Sequence, residues 1–183
     1  MGLAHDVMHK VGHALGGVRA GVPKLASRRL GGDRVIVVSS PAFVDGQPLP
    51  LSATKDGQGI APEITWESVP AGTKSIALVL EDPDAPMHDP FVHWLVYAIA
   101  PSARSLGPAT VAAARQGKNS NLRRGYGPAA PPPGHGVHHY HFQVFALDVP
   151  IPFADDVGRR ELVEAMGGHV LGWGEIVGTY ERK

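Results

Sequence analysis

Hydrophobic and polar positions alternate along much of this chain with the two-residue period of β-strands. The clearest run is 74–82, where Ile76, Leu78, Leu80 and Asp82 fall on one face and Ser75, Ala77, Val79 and Glu81 on the other. Asp82 therefore continues the row of larger apolar side chains, a costly place for a carboxylate without a partner. Residues 91–99 are apolar on both faces, as a central strand requires, and simple alternation puts His93 with Leu95, Tyr97 and Ile99. Over 138–148, His138, Tyr140, Phe142, Val144 and Ala146 share one face; His139, His141, Gln143, Phe145 and Leu147 share the other. His139 and His141 then read as solvent-facing. Residues 34–40 read as a first buried strand, 64–67 as a short one and 174–180 as a final edge strand.

Helical spacing is rarer. Leu3, Val7, Val11, Leu15 and Val18 recur at helical intervals, which predicts an N-terminal extension helix broken at Gly16-Gly17. A second helix is predicted over 157–166, capped by Asp155-Asp156 and ended by Gly167-Gly168. Between these elements, 45–63 is a long irregular connection and 104–137 is mostly loop. Strands outnumber helices and do not alternate with them. The fold class is thus mostly β with peripheral helices, an antiparallel or mixed β-sandwich.

The chain has 183 residues, which suits one core-bearing domain over 34–183 behind a basic extension, 1–33. Its 23 glycines and 17 prolines fit strands joined by many turns. Formal net charge is zero but uneven: residues 1–34 carry six basic side chains against Asp6 and Asp33, so +4, which leaves −4 for the rest. A neutral chain with an acidic body argues against nucleic acid as a partner. No apolar run approaches the ~20 residues of a membrane span. Charged residues interrupt any secretory apolar run near the start, so a cytoplasmic location is expected. With no cysteine, a thiolate nucleophile or thiolate metal site is excluded.

Candidate chemistry concentrates in two proline-pinned stretches, Asp82-Pro83-Asp84-Ala85-Pro86 followed by His93-Trp94, and Pro131-Pro132-Pro133-Gly134-His135-Gly136-Val137-His138-His139-Tyr140. Two carboxylates held by a proline can do acid–base work, orient a histidine, or cap turn amides. His93 can exchange charge near neutrality, and the Tyr140 hydroxyl can donate to a phosphate or carboxylate. Glycines 134 and 136 permit close backbone approach. A zinc site from His135, His138, His139 and His141 is disfavoured, because neighbouring strand residues point to opposite faces. Asp82, His93 and His138 converging as a metal-dependent or hydrolytic centre stays open as the alternative. No Gly-x-Ser-x-Gly and no phosphate-cradling Gly-x-x-x-x-Gly-Lys-Ser/Thr loop occurs. A small anion pocket fits these residues better than a complete catalytic set.

The same motifs, with Ala165-Met166-Gly167-Gly168-His169-Val170-Leu171-Gly172 and Gly178-Thr179-Tyr180, resemble the phosphatidylethanolamine-binding protein family. The nearer likeness is to its bacterial and archaeal Raf kinase inhibitor-like branch, over about residues 34–183. The resemblance implies a β-sandwich with an anion pocket at one end, taking phosphate-type groups such as phosphoethanolamine. By position, Asp82, Asp84, His93, His138 and Tyr140 would line it, with Pro132 in the wall. It further implies a non-enzymatic binding protein without cofactor or metal, a kinase or protease as protein partner, and a homodimer. The loop Gly127-Pro128-Ala129-Ala130-Pro131-Pro132 is one residue off the family's Gly-Pro-x-Pro-Pro spacing, which implies shifted backbone contacts to the anion.

Overall fold

The computed structural model describes Lys10, Ala14 and residues 17–183. Of the expected N-terminal helix only Lys10, Ala14, Gly17 and Val18 are described; Lys10 and Ala14 are helical, and all four are exposed. Eight strands are described: β1 (Val38–Ser39), β2 (Ile64–Trp66), β3 (Ser75–Asp82), β4 (Phe91–Ile99), β5 (Ser105–Leu106), β6 (Arg115–Gln116), β7 (His138–Leu147) and β8 (Val170–Tyr180). Three short α-helices lie wholly among the described residues: α1 (Ala26–Leu30), α2 (Pro108–Ala113) and α3 (Arg159–Met166). The strands form a five-stranded sheet in the order β6-β4-β3-β7-β8 and a three-stranded sheet in the order β1-β2-β5. Every strand pair is antiparallel. The fold is mostly β, a two-sheet sandwich with peripheral helices, as the alternation predicts.

The large sheet is buried on both faces, hence the nearly continuous apolar runs of β3, β4 and β7. Its inner face packs Ile76, Leu78, Leu80, Phe142 and Val144 toward the small sheet. Its outer face packs Ala77, Val79, Leu95 and Phe145 against Ala26 of α1 and Leu162 and Met166 of α3. Buried apolar rows of this kind contribute ~25 cal/mol per Å² removed from water.

Two register slips decide where β4 points its side chains. Leu80 pairs with Trp94 but Glu81 with Val92, so His93 is an extra residue on β4. Leu78 pairs with Val96 but Ile76 with Ile99, and Ala98 there takes φ 54. Such slips rotate everything beyond them. His93 therefore leaves the face of Leu95 and Tyr97, where simple alternation put it, and joins Asp82 and Tyr140; Ile99 likewise lies in the inner core.

Other expectations need correction. Of the strand predicted at 34–40, only Val38 and Ser39 pair in a ladder. Val35 and Val37 face solvent, while Asp33 to Ile36 hydrogen-bonds sideways to Trp173 of β8. The loop region 104–137 contains β5, α2 and β6. Asp155 and Asp156 do not cap α3. Gly158 is its N-cap, with no side-chain capping bond. The two aspartates pair with Arg115 and Arg124 instead. His141 is buried rather than solvent-facing, bonded to Glu175 at 3.1 Å. The segment from Arg19 to Arg34 covers this face, with Arg34 also paired to Glu175.

Candidate functional site

The inner-face row of β3 ends in Asp82, that of β7 begins with His138 and Tyr140, and the slip on β4 adds His93. The proline-rich segment 128–132 walls this end of the sandwich. Together they enclose a cavity of about 370 Å³ lined by Asp82, His93, Pro132, His138 and Tyr140. Phe91, Pro86 and Met87 complete one side, and Lys55 stands at the rim.

Asp82 is almost fully buried, and both its oxygens are used. Oδ1 accepts the Asp84 amide at 2.8 Å, so the Asp-Pro-Asp turn is closed by its own first side chain. Oδ2 lies 2.7 Å from His138 Nδ1. The carboxylate accepts, so His138 carries a proton on Nδ1. His138 Nε2 lies 2.7 Å from Nδ1 of His135, itself buried. Asp82, His138 and His135 thus form a line of bonds rather than converging on one point. Among the described residues, no group of three or more His, Asp or Glu side chains is placed to hold a metal ion.

His93 Nδ1 donates to the Gly127 carbonyl at 2.7 Å. A carbonyl only accepts, so the proton sits on Nδ1 and the neutral ring keeps its lone pair on Nε2. Burial pushes His93 below the usual histidine value of 6.5, while the Asp82 charge and the Gly127 bond offset this only in part. Its ring meets Tyr140 edge-on at 5.1 Å. The Tyr140 hydroxyl is buried and has no hydrogen-bond partner among the described residues. Burial, followed by the Asp82 charge, raises its pKa, so it remains a protonated donor.

Asp84 is not part of the cavity lining. Its Oδ2 takes the His139 amide at 2.8 Å and the His139 ring at 2.7 Å, and its Oδ1 takes Arg19. Burial pushes the Asp84 carboxyl up, but the His139 ring, Arg19 and the His139 amide hold it below the usual carboxylate range. Three further residues matter to the site. Lys55 arrives because 54–55 pairs with Ala129, Arg19 because Gly21 N bonds the Pro83 carbonyl at 2.9 Å, and His135 through the turn before β7. Position in the sequence signals none of these tertiary contacts except His135, which stands out within the His-rich stretch.

The phosphatidylethanolamine-binding protein family model matches residues 39–181. The chain belongs to that family. Its similar relatives include a UPF0098 protein of Aquifex aeolicus, 40% identical over 157 residues, covering 82% of this chain and 91% of that one. Among solved structures, a phosphatidylethanolamine-binding protein homologue of Chlamydia trachomatis, CT736, is 35% identical with TM-score 0.76, covering 82% of this chain and all of that one. YbcL of E. coli, a family member, is 31% identical with TM-score 0.76, over 81% and 99%. The family is thus carried by the sandwich from β1 onward; Arg19 and α1 precede the matched region. Among the described residues, no helix is long and apolar enough to cross a membrane.

Proposed function

We propose that this family member is a non-catalytic binding protein for a small phosphate- or carboxylate-bearing anion, acting in the cytoplasm and modulating a kinase or protease partner through the loaded pocket. Asp82, His93, Pro132, His138 and Tyr140 form the pocket, and Asp84 supports its rim. The observation that carries the reading is the Tyr140 hydroxyl. A buried hydroxyl without a partner costs ~1–3 kcal/mol, and a ligand oxygen in the adjoining cavity would recover it. Lys55 supplies positive charge at the mouth.

The acceptors narrow the ligand. Asp82 is an anion, and neutral His93 presents a lone pair rather than a second N–H. An anion that brings its own proton suits this set: its acidic O–H donates to His93 Nε2 while an ionised oxygen accepts the hydrogen bond of the Tyr140 hydroxyl. Hydrogen phosphate and a phosphomonoester monoanion both fit.

The test is titration of the full chain with inorganic phosphate and with phosphoethanolamine, followed by amide NMR. Shifts centred on His93, Gly127 and Tyr140 are expected, with affinity weakened about tenfold in Tyr140→Phe, the worth of one charge-assisted hydrogen bond. No perturbation at millimolar ligand, or binding that Tyr140→Phe leaves intact, overturns the reading.

A further inference from the structure

A second cavity, of about 290 Å³, opens where β5, α2 and β6 meet Trp94 of β4 and Tyr126. It shares no lining residue with the anion pocket. Its lining is mostly apolar. The rings of Trp94 and Tyr126 stand nearly perpendicular, at 76° with centroids 5.6 Å apart, and Ile60, Leu106 and Val111 add aliphatic surface. A water molecule takes up ~30 Å³ in the liquid, so the space suits a molecule of about ten non-hydrogen atoms.

The polar groups on this lining are few, and most are already bonded. The Tyr126 hydroxyl is spent on the Ala53 carbonyl at 2.7 Å. The Trp94 indole N–H donates to Gln116 Oε1 at 2.9 Å, which fixes the way round of that amide. Gln116 Nε2 is left without a hydrogen-bond partner among the described residues. Glu63 is the one charged group on the lining. Its carboxylate has neither an ion pair nor a hydrogen bond among the described residues, unlike Asp155 and Asp156, which arginines hold. Gly107, between β5 and α2, leaves room for that carboxylate: a Cβ there would lie 3.3 Å from Glu63 Oε1.

These groups select by charge. An anion would meet a carboxylate and no Lys, Arg or His. An uncharged apolar molecule would leave both Glu63 and Gln116 unused. A positive charge suits the carboxylate and the electron-rich ring faces alike. We propose that this cavity binds a small protonated organic amine, its apolar body against Trp94, Tyr126 and Val111 and its ammonium group on Glu63. An oxygen on the same molecule can accept the Gln116 N–H. The proposal does not rest on the anion reading, because the two cavities are lined by different residues.

The experiment titrates the full chain with 2-phenylethylammonium and, as its uncharged counterpart, 2-phenylethanol. Three forms are compared: native, Glu63→Gln, and Glu67→Gln as an exposed carboxylate outside the cavity. Binding is followed by NMR of the Trp94 indole N–H and the Gln116 side-chain amide. In the native chain the ammonium probe is expected to shift both signals saturably, with the millimolar affinity that a ligand of this size can reach. Glu63→Gln should weaken it by about two- to fivefold, the worth of one exposed ion pair, and Glu67→Gln should leave it unchanged. The alcohol should bind the native chain more weakly than the ammonium, and equally well in native and Glu63→Gln. No saturable shift of the Trp94 and Gln116 signals overturns the site, as do shifts centred on His93 and Tyr140 instead. Equal affinity for alcohol and ammonium in the native chain, or ammonium binding that Glu63→Gln leaves intact, overturns its preference for a cation.

Discussion

Glu81 and Asp82 are neighbours on β3, both carboxylates and both buried, yet they serve different parts of the molecule. Glu81 points to the outer face and is saturated. It accepts the Ala26 amide and the Gln143 side chain, each at 2.8 Å, and pairs with Arg159, which also donates to the Lys24 carbonyl. These bonds tie α1, β7 and α3 to the central strand. They also satisfy the start of α1, which has no side-chain cap of its own. Asp82 points to the inner face, bonds a turn amide and a histidine, and borders empty space. The contrast lies in the partner. An arginine keeps its charge at any ordinary pH, so the Glu81 cluster is a fixed joint. A histidine can change its proton count and its acceptor, so the Asp82 cluster can be rearranged by what enters the cavity.

The largest effect that can break this contrast is expected at Glu81. Glu81→Ala strands a mostly buried guanidinium and two donors, and should cost about 3–5 kcal/mol in denaturant unfolding. A loss below about 1 kcal/mol would mean that the outer cluster is no more a joint than the inner one. Asp82→Asn should cost less, about 1–3 kcal/mol, because the amide oxygen can still close the turn while the charge on His138 Nδ1–H is lost. Nitrogen NMR of the imidazoles should show the His138 ring altered in this variant and the His141 ring unchanged. Movement of both rings would show the two faces to be coupled.

The smallest effect is in pH. The folded chain resists protonation of His93, whose pKa is lowered by burial, whereas the unfolded chain protonates near 6.5. Below 6.5 the unfolded state therefore takes up a proton that the folded state refuses, and stability falls as pH drops; above it this contribution is complete. Asp84 and Glu175 act in a lower window, since both are held below their usual carboxylate values and lose their contribution only as pH falls through them. Unfolding free energies from pH 7.5 to 5.5 should slope downward toward acid and flatten in His93→Gln. An unchanged slope in that variant would assign the effect to other histidines.

Much of the sandwich was legible in the sequence because a two-residue period is local. The inner row of β3 leading to Asp82, and the pairing of His138 with Tyr140 on β7, follow from counting. His93 does not, because one extra residue on β4 reverses the parity at the point where the cavity forms. The cost of burying a carboxylate flagged Asp82, yet the same argument applied to Glu81 only once the outer face was known to be covered. Asp84 looked equivalent to Asp82 by spacing, but its side chain turns out toward Arg19 and His139. Lys55 and Arg19 reach the site through backbone contacts 60 or more residues away, which no periodicity encodes. The family model decides the family; its match, 39–181, begins after Arg19.

β8 has glycine at 174 and 178, and a Cβ there would lie 2.0 Å from the Ile36 carbonyl and 2.3 Å from the Leu49 side chain. The bare backbone lets the segments around Arg34 and Pro48 lie alongside in parallel and occupy β8's outer groups at Trp173, Val177 and Thr179. At the opposite margin of the sheet, β6 is only two residues long. Among the described residues, neither margin of this sheet offers a long free row of amides and carbonyls to a neighbouring molecule. The five-stranded sheet is thereby shielded from strand-to-strand polymerisation in a crowded solution, and two missing side chains help secure its longer margin.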